Sequence, residues 1–535
     1  MKYKHFGVML DCSRNAVPKV STVKKLIDVL QVMGYNTLEL YTEDTFEITE
    51  EPYFGYLRGR YTGAEIREMD EYAKAQGIEL IPCVQTLAHF TNPVKLPRFA
   101  EITDIDDILL IDDERTYAFI ERIFATLAEN FTSRNVHIGM DEAHHVGLGK
   151  YLDKHGASNR FEILNRHLGR VISIAEKYGF AAHMWSDMFF RLAAEGDYYG
   201  HDVQLPAEVM KNLPSNISLA YWDYYHTEES HYDAMISLHK KFNRDIWFAG
   251  GAWTWSGFAP QMRFTYATMQ PALHSVRKNK IENVLITLWG DNGGECPPFT
   301  VLNALYAIRR YADGEYDHGV IAAEFQKLFG VAFEDFDLLA LPDIPATSHA
   351  PDALINPCKA LLYSDPFLGI YDGTTIVRQA EIPYGEYAKK LSKAKLRTGE
   401  YAYLFDTSEK LCKLLEKKAY LGVQTREAYQ CDDRGAIERV IGEYAEAEKR
   451  LESFFQAFDT QWNTVNKPFG FEVHCARLGG LQRRLLYCRR RLEGYLAGTI
   501  QRIDELGEKI LPRDPNAPDM LFLNDYRQLV STSEL

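Results

Sequence analysis

Along the first 310 or so residues, short apolar runs alternate with stretches whose apolar positions recur every three or four residues. The runs are rich in β-branched and aromatic residues and predict strands; the periodic stretches predict amphipathic helices. Residues 6–12 form the first predicted strand. Val23, Leu26, Ile27 and Leu30 then put one apolar face on a helix over 21–33, which Gly34 ends. Further strands are predicted at 35–41, 78–85, 135–142, 180–187, 217–224, 246–251 and 283–291. Helices are predicted between them at 63–76, 112–130, 161–178, 206–213, 231–242 and 263–279, with a closing helix at 302–311. The strands read as nearly continuous apolar runs, as parallel strands covered on both faces do. Eight strand–helix repeats predict an α/β protein built on a (β/α)8 TIM barrel. A doubly wound open sheet is the alternative, but no G-x-G-x-x-G or P-loop supports it.

Beyond about Asp313 the strand pattern fades. Residues 312–383 are mixed, and long helical periodicity follows at 387–416, 433–458 and 471–511. Two domains are therefore expected: a barrel over 1–312 and a mainly helical C-terminal domain over 313–535. The arginines Arg483, Arg484, Arg489, Arg490 and Arg491 are expected on a solvated helix face, paired to nearby glutamates.

Composition narrows the function classes. Hydrophobic residues make up 46% and charged residues 25%, which fits a globular protein rather than a disordered or fibrous one. The formal net charge of −15 argues against a nucleic-acid partner. No stretch approaches the length of an apolar membrane span, so no membrane partner is expected. The N-terminus runs straight into the first strand without a signal-peptide pattern. A cytoplasmic location is expected, with a processed secreted form left open. The eight cysteines are scattered, with no C-x-x-C pair, and are expected to be reduced thiols. Neither a metal nor a cofactor is expected: His144 and His145 are adjacent, and adjacent side chains seldom converge on one ion.

Polar and aromatic residues gather where the predicted strands end, the face that carries the active site in barrel enzymes. They include Asp11 and Arg14, Glu43 and Asp44, Gln85 and His89, Asp141 and Glu142, Trp185 and Asp187, Trp222 with Asp223, Tyr224 and Tyr225, Trp253 and Trp255, and Trp289 with Asp291 and Glu295. The sharpest signal is His137-Ile138-Gly139-Met140-Asp141-Glu142. Two adjacent carboxyls resist double ionisation, so each needs its own role. One stays charged while its neighbour is held protonated as a general acid. Six of the seven tryptophans fall at or beside strands five to eight. Trp247 lies early in its strand and reads as core. Trp185, Trp222, Trp253, Trp255 and Trp289 read as pocket walls, because aromatic faces stack on the C–H faces of sugar rings.

These residues resemble a known family. His137-x-Gly-x-Asp141-Glu142 resembles the signature of glycoside hydrolase family 20, the β-N-acetylhexosaminidases. Met9-Leu10-Asp11-Cys12-Ser13-Arg14, Thr86-Leu87-Ala88-His89 and Leu288-Trp289-Gly290-Asp291 are similar to three further motifs of that family, in the same order along the chain. The resemblance covers about residues 5–312. It implies an exo-acting hydrolase of terminal β-linked GlcNAc or GalNAc, retaining and substrate-assisted, an exception to the usual two-carboxylate scheme.

It also implies roles. Glu142 protonates the leaving oxygen and then serves as base, and Asp141 orients the 2-acetamido group. Arg14 holds sugar hydroxyls. His89, backed by Glu43 or Asp44, tunes Glu142. Trp222, Trp289 and Trp185 wall the acetamido pocket. The acetamido oxygen needs a tyrosine hydroxyl, which strand seven lacks; Tyr225, with Tyr224 beside it, is the nearest supply. Asp291 and Glu295 compete for the outer hydroxyls.

Two departures stand out. Met140 occupies the family's second glycine, an exchange that a strand accommodates. The α/β domain that precedes the barrel in many members is not expected in this sequence. Its packing role is expected to pass to the helical region, whose 466–470 turn would touch the barrel mouth or a second copy in a homodimer. Two alternatives remain open at the sequence level: a retaining glycosidase with an enzyme nucleophile, and a non-catalytic sugar-binding barrel.

Overall fold

The computed structural model describes residues 2–346, 354–374, 382–516 and 522–533. The chain divides into two compact units. The first holds Met1–Gly251, Thr265–Leu288 and Ala307–Tyr316; the second holds Ala252–Phe264, Trp289–Tyr306 and Asp317–Leu535. The division is thus not a single cut: the segments that follow the last two strands belong with the C-terminal helices.

The first unit contains a closed barrel of eight parallel strands, as the repeat predicts. These are β1 (His5–Asp11), β2 (Thr37–Tyr41), β3 (Glu79–Cys83), β4 (Asn135–His137), β5 (Ala181–Trp185), β6 (Ile217–Trp222), β7 (Ile246–Gly251) and β8 (Asn283–Leu288). Each strand pairs with its sequence neighbour, and β1 closes on β8 with Val8 opposite Ile286. Parallel neighbours need a crossover, and amphipathic helices such as Val20–Met33, Glu114–Asn130 and Arg160–Lys177 supply it. The helix Gly63–Ala75 starts at a reciprocal cap: Thr62 Oγ1 accepts the Glu65 N–H, and the Glu65 carboxylate accepts the Thr62 N–H.

Most strands are shorter than predicted. They stop where the chain turns into irregular backbone, and the largest difference is at β4, which ends at His137 rather than at Glu142. The barrel interior is aromatic and partly polar. The Trp247 ring lies between His5 (4.6 Å) and His183 (4.2 Å), which places it in the core as read. His183 Nε2 meets the fully buried Glu39 carboxylate at 2.8 Å.

The second unit is mainly helical, as expected. Its long helices are Tyr384–Lys395, Ala402–Lys418, Arg434–Val465 and Phe471–Leu496. The predicted helix over 387–416 is broken at Gly399, whose φ of 53° suits a residue without Cβ. The predicted helix over 471–511 ends at Leu496. Val440, Tyr444, Ala447, Leu451, Phe454 and Phe458 form the buried stripe of Arg434–Val465. The arginines at 484 and 489 are paired to carboxylates: Arg484 to Asp365 at 2.6 Å and Arg489 to Glu448 at 2.7 Å. None of the helices among the described residues is long and apolar enough to cross a membrane.

Candidate active site

The barrel's strand ends carry unusual backbone. Glu43, His89, Met140 and Glu142 all have left-handed φ, at 42°, 60°, 70° and 52°. Non-glycine residues are strained there, and such strain gathers at functional sites. Met140 is therefore not in a strand, and the expected tolerance of its side chain does not apply. Gly139 precedes it at φ 70°, and a Cβ on Gly139 would lie 2.1 Å from Gln85 Oε1 and 2.9 Å from the Val84 carbonyl. Glycine is required at 139 on both counts: conformation and close approach.

That approach positions Asp141. Gln85 Oε1 accepts the Met140 N–H at 3.2 Å, which fixes the amide so that Nε2 donates to Asp141 Oδ1 at 2.8 Å. Gln85 Nε2 also donates to the Tyr41 hydroxyl at 3.0 Å. Tyr41 in turn donates to Glu43 Oε1 at 3.0 Å, and Arg14 Nε donates to the same oxygen at 3.1 Å. A polar chain thus runs from the end of β1 to the end of β4. Arg14 pairs with Glu43, and the Asp11 carboxylate accepts the Ser13 and Arg14 backbone N–H groups.

His89 Nε2 is 3.1 Å from Asp141 Oδ2 and 3.9 Å from Glu142 Oε2. Its main partner is Asp141, not Glu142 as expected. Burial works against charge on His89, but the Asp141 carboxylate and its hydrogen bond raise the pKa to about 9, and Glu43 adds to this. Asp44 has a different partner, Arg58 at 3.4 Å. For Asp141, burial opposes ionisation, yet the His89 charge and the hydrogen bonds from His89 and Gln85 win and hold its pKa low. Glu142 differs in kind. Its side chain is 42% exposed, and its nearest cations, Arg191 Nη2 at 3.7 Å and His89, stand beyond hydrogen-bond range.

Sequence reasoning assigns no role to three residues here. Gln85 reads in sequence only as a polar strand end. Asp187, two residues beyond β5, is fully buried; its Oδ2 accepts the Glu142 N–H at 3.1 Å and Arg191 Nε at 3.0 Å. Burial first, then the Asp141 charge, push its pKa up. Arg191 lies one turn later on the helix Asp187–Ala193 and sits over the Trp222 ring, 5.7 Å from its centroid. The signal that could have found the pair is the i, i+4 spacing of acid and arginine just past a strand.

The expected aromatic residues divide. Trp222 stacks on Tyr224 at 5.4 Å and is almost buried. Tyr225 is 44% exposed. Trp185 lies deeper, against His137 at 4.3 Å, and burial keeps that histidine neutral by lowering its pKa.

Trp253, Trp255, Trp289, Asp291 and Glu295 belong to the second unit. There Trp253 and Trp255 are buried and stacked on each other at 4.1 Å. Trp289 and Asp291 are partly exposed. Glu295, expected at the outer hydroxyls, is instead 2% exposed and held by Lys359 at 2.9 Å and Arg477 at 3.5 Å. A carboxylate so enclosed and so paired is a structural group of its own unit.

The chain matches the "Glycosyl hydrolase family 20, catalytic domain" over residues 3–240 and the "Glycoside Hydrolase 20C C-terminal domain" over residues 334–522. Hexosaminidase D of Bos taurus is 25% identical over 261 residues, covering 46% of this chain and 69% of that protein. Hexosaminidase D of Homo sapiens is 26% identical over 246 residues, covering 43% of this chain and 47% of that protein. The chain thus spans only part of its curated relatives, and less than half of the human one. Among solved structures, an exo-β-N-acetylglucosaminidase from Vibrio harveyi, determined with N-acetylglucosamine, aligns at a TM-score of 0.47 and 16% identity, over 63% of this chain and 58% of that one. Through its two matched domains, the chain belongs to glycoside hydrolase family 20.

Proposed function

We propose that the chain is an exo-acting β-N-acetylhexosaminidase that removes terminal β-linked GlcNAc or GalNAc with retention, using the substrate's own acetamido group as nucleophile. The observation that carries this reading is the contrast between the two adjacent carboxyls. Asp141 is enclosed, ionised and pinned through both oxygens, whereas Glu142 stands at the surface with no short contact to a cation. A pinned carboxylate suits orienting and charge stabilisation; an accessible one suits proton transfer to and from a departing group and water.

In this mechanism the acetamido N–H donates to Asp141, whose oxygens retain acceptor capacity beyond the two hydrogen bonds they already accept. The acetamido carbonyl oxygen attacks the anomeric carbon and forms an oxazolinium ion. Glu142 gives its proton to the leaving oxygen, then takes one from the water that opens the ring. Asp141 offsets the positive charge that develops on the ring nitrogen. Tyr225 supplies a hydroxyl to the acetamido oxygen, and Trp222 a wall for the methyl group. Arg14, held in place by Glu43, presents its planar fork to sugar hydroxyls.

The domain reading extends the proposal: residues 1–312 form the catalytic barrel and 313–535 a mainly helical domain. Asp187 does not favour an enzyme nucleophile. It is fully buried and tied to the Glu142 N–H and to Arg191.

The test compares an aryl β-N-acetylglucosaminide with the matching aryl β-glucoside, which lacks the acetamido group. Fast release from the first, with almost none from the second and a β-anomer as first product, is expected. Comparable rates on both would overturn substrate assistance, and turnover of neither, nor of the matching aryl β-N-acetylgalactosaminide, would overturn the hydrolase reading.

A further inference from the structure

A second cluster lies just past β6, in the loop that leads from Trp222 to the helix Glu229–Lys240. Asp223 is fully buried, two histidines meet it, and a third stands behind one of them. His226 Nδ1 is 2.9 Å from both Asp223 oxygens, and His231 Nε2 is 3.1 Å from Oδ2. The two imidazoles lie face to face, nearly parallel at 10°, with centroids 3.4 Å apart. His201 Nε2 is 2.8 Å from the other nitrogen of His231, Nδ1. Among the described residues, Asp223, His226 and His231 are the one group of three His, Cys, Asp or Glu residues whose ligand atoms converge, all within 4.8 Å of one another.

Asp223 also accepts hydrogen bonds from groups other than the histidines. Oδ2 already accepts the Tyr221 hydroxyl at 2.7 Å, and Oδ1 accepts the Tyr225 N–H at 3.0 Å. His231 Nε2 is buried and has no hydrogen bond of acceptable geometry. In the tautomer that donates the His231 Nδ1 proton to His201, Nε2 faces the carboxylate oxygen with a lone pair, and a cation, either a proton on that nitrogen or a metal ion, lies between them. Ligands about 2.0–2.1 Å from a tetrahedral ion stand roughly 3.3 Å apart, close to the 2.9 Å and 3.1 Å between the imidazole nitrogens and the Asp223 oxygens.

We propose that Asp223, His226 and His231 form a binding site for a divalent transition-metal ion of the zinc type, with His201 orienting His231 from behind. Two imidazoles and one carboxylate are the donor set such an ion prefers, and the fourth position is left for water. His201 is the expected outer partner, since a metal-bound histidine usually donates its second N–H to a neighbouring acceptor. The ion would clamp the loop that carries Tyr224 and Tyr225. The site therefore has a structural role beside the sugar pocket, and the proposal does not depend on the hydrolytic reading.

The experiment uses the untagged full chain, stripped with a chelator, dialysed against Zn2+ and assayed for bound metal. Titration with Co2+ reports the ligand geometry through its visible bands. One equivalent of Zn2+ per chain is expected, together with a four-coordinate Co2+ spectrum. His226→Ala, a half-exposed position, should abolish stoichiometric binding, and His201→Phe should weaken it roughly 10–100-fold. Zn2+ should raise the melting temperature of the wild type and not that of His226→Ala. Substoichiometric metal in the wild type, or binding that survives unchanged in both His226→Ala and His231→Ala, would overturn the proposal.

Discussion

At the scale of single residues, Asp141 and Glu142 show how neighbours in sequence come to do different work. Glu142→Gln removes the proton donor and should lower kcat on a poor leaving group by about 10²–10⁴-fold. Asp141→Asn keeps the shape but loses the charge, and should lower kcat by about 10²–10³-fold. Stopped assays on the same N-acetylglucosaminide measure both.

His89 makes a prediction in pH. Its folded pKa of about 9 lies above the ordinary histidine value, so its pairing with Asp141 stabilises the protein fully below about pH 6.5 and loses effect as pH rises to about 9. Asp141 has a lowered pKa, so the same pairing fades as pH falls through the acid range. Denaturant unfolding of wild type and His89→Gln should differ most between about pH 4 and 6.5, by about 3 kcal/mol, and converge above pH 9.

Both acids and His89 are legible in the sequence as candidates, because residue type and strand-end position are enough. Which acid His89 serves is not. That depends on left-handed backbone at residues 89, 140 and 142, which propensities do not encode.

At the scale of elements, the stretch after β4 is the decisive piece. The apolar residues Ile138 and Met140 continue the strand pattern, so the sequence reads as extended through Glu142, while the backbone leaves the sheet after His137. Gly139 is visible as part of a motif, but its reason is not: the Gln85 side chain occupies the space a Cβ would take. Gly139→Ala should push Gln85 away from Asp141 as well as strain the turn. A stability loss of about 1–3 kcal/mol is expected, with a fall in kcat larger than any change in KM. Urea unfolding alongside steady-state kinetics checks both, and an unchanged kcat would show that Gln85 does not position Asp141. The barrel itself is legible because its eight-fold alternation is long and regular. Element ends are less so, since polar strand-end residues here continue to alternate with apolar ones after the ladder has stopped.

At the scale of the whole molecule, the helical half is legible in kind but not in its internal chemistry. Periodicity marks the long helices, yet nothing in the sequence marks Lys359 as a fully buried cation facing Glu295. Removing one partner of a buried pair leaves the other charge uncompensated. Lys359→Met should therefore cost the second unit about 3 kcal/mol or more in denaturant unfolding. The double variant Lys359→Met/Glu295→Gln should recover part of that loss; no recovery would show that the two side chains act independently. The one-boundary division at residue 312 is the natural reading of a change in periodicity. Compactness instead draws Ala252–Phe264 and Trp289–Tyr306 into the second unit, and linear pattern carries no trace of that.

The polar chain from Arg14 through Glu43, Tyr41 and Gln85 to Asp141 draws its residues from the ends of the first four strands. The first half-barrel is therefore the heritable carrier of the Asp141 posture. Recombination between relatives at the β4–β5 boundary would pass that polar chain on intact and exchange the partners that come from later strands, Asp187, Arg191 and Trp222 among them. A crossover inside the first half would have to bring matching residues from both parents at once. Lineages should diversify this site by halves.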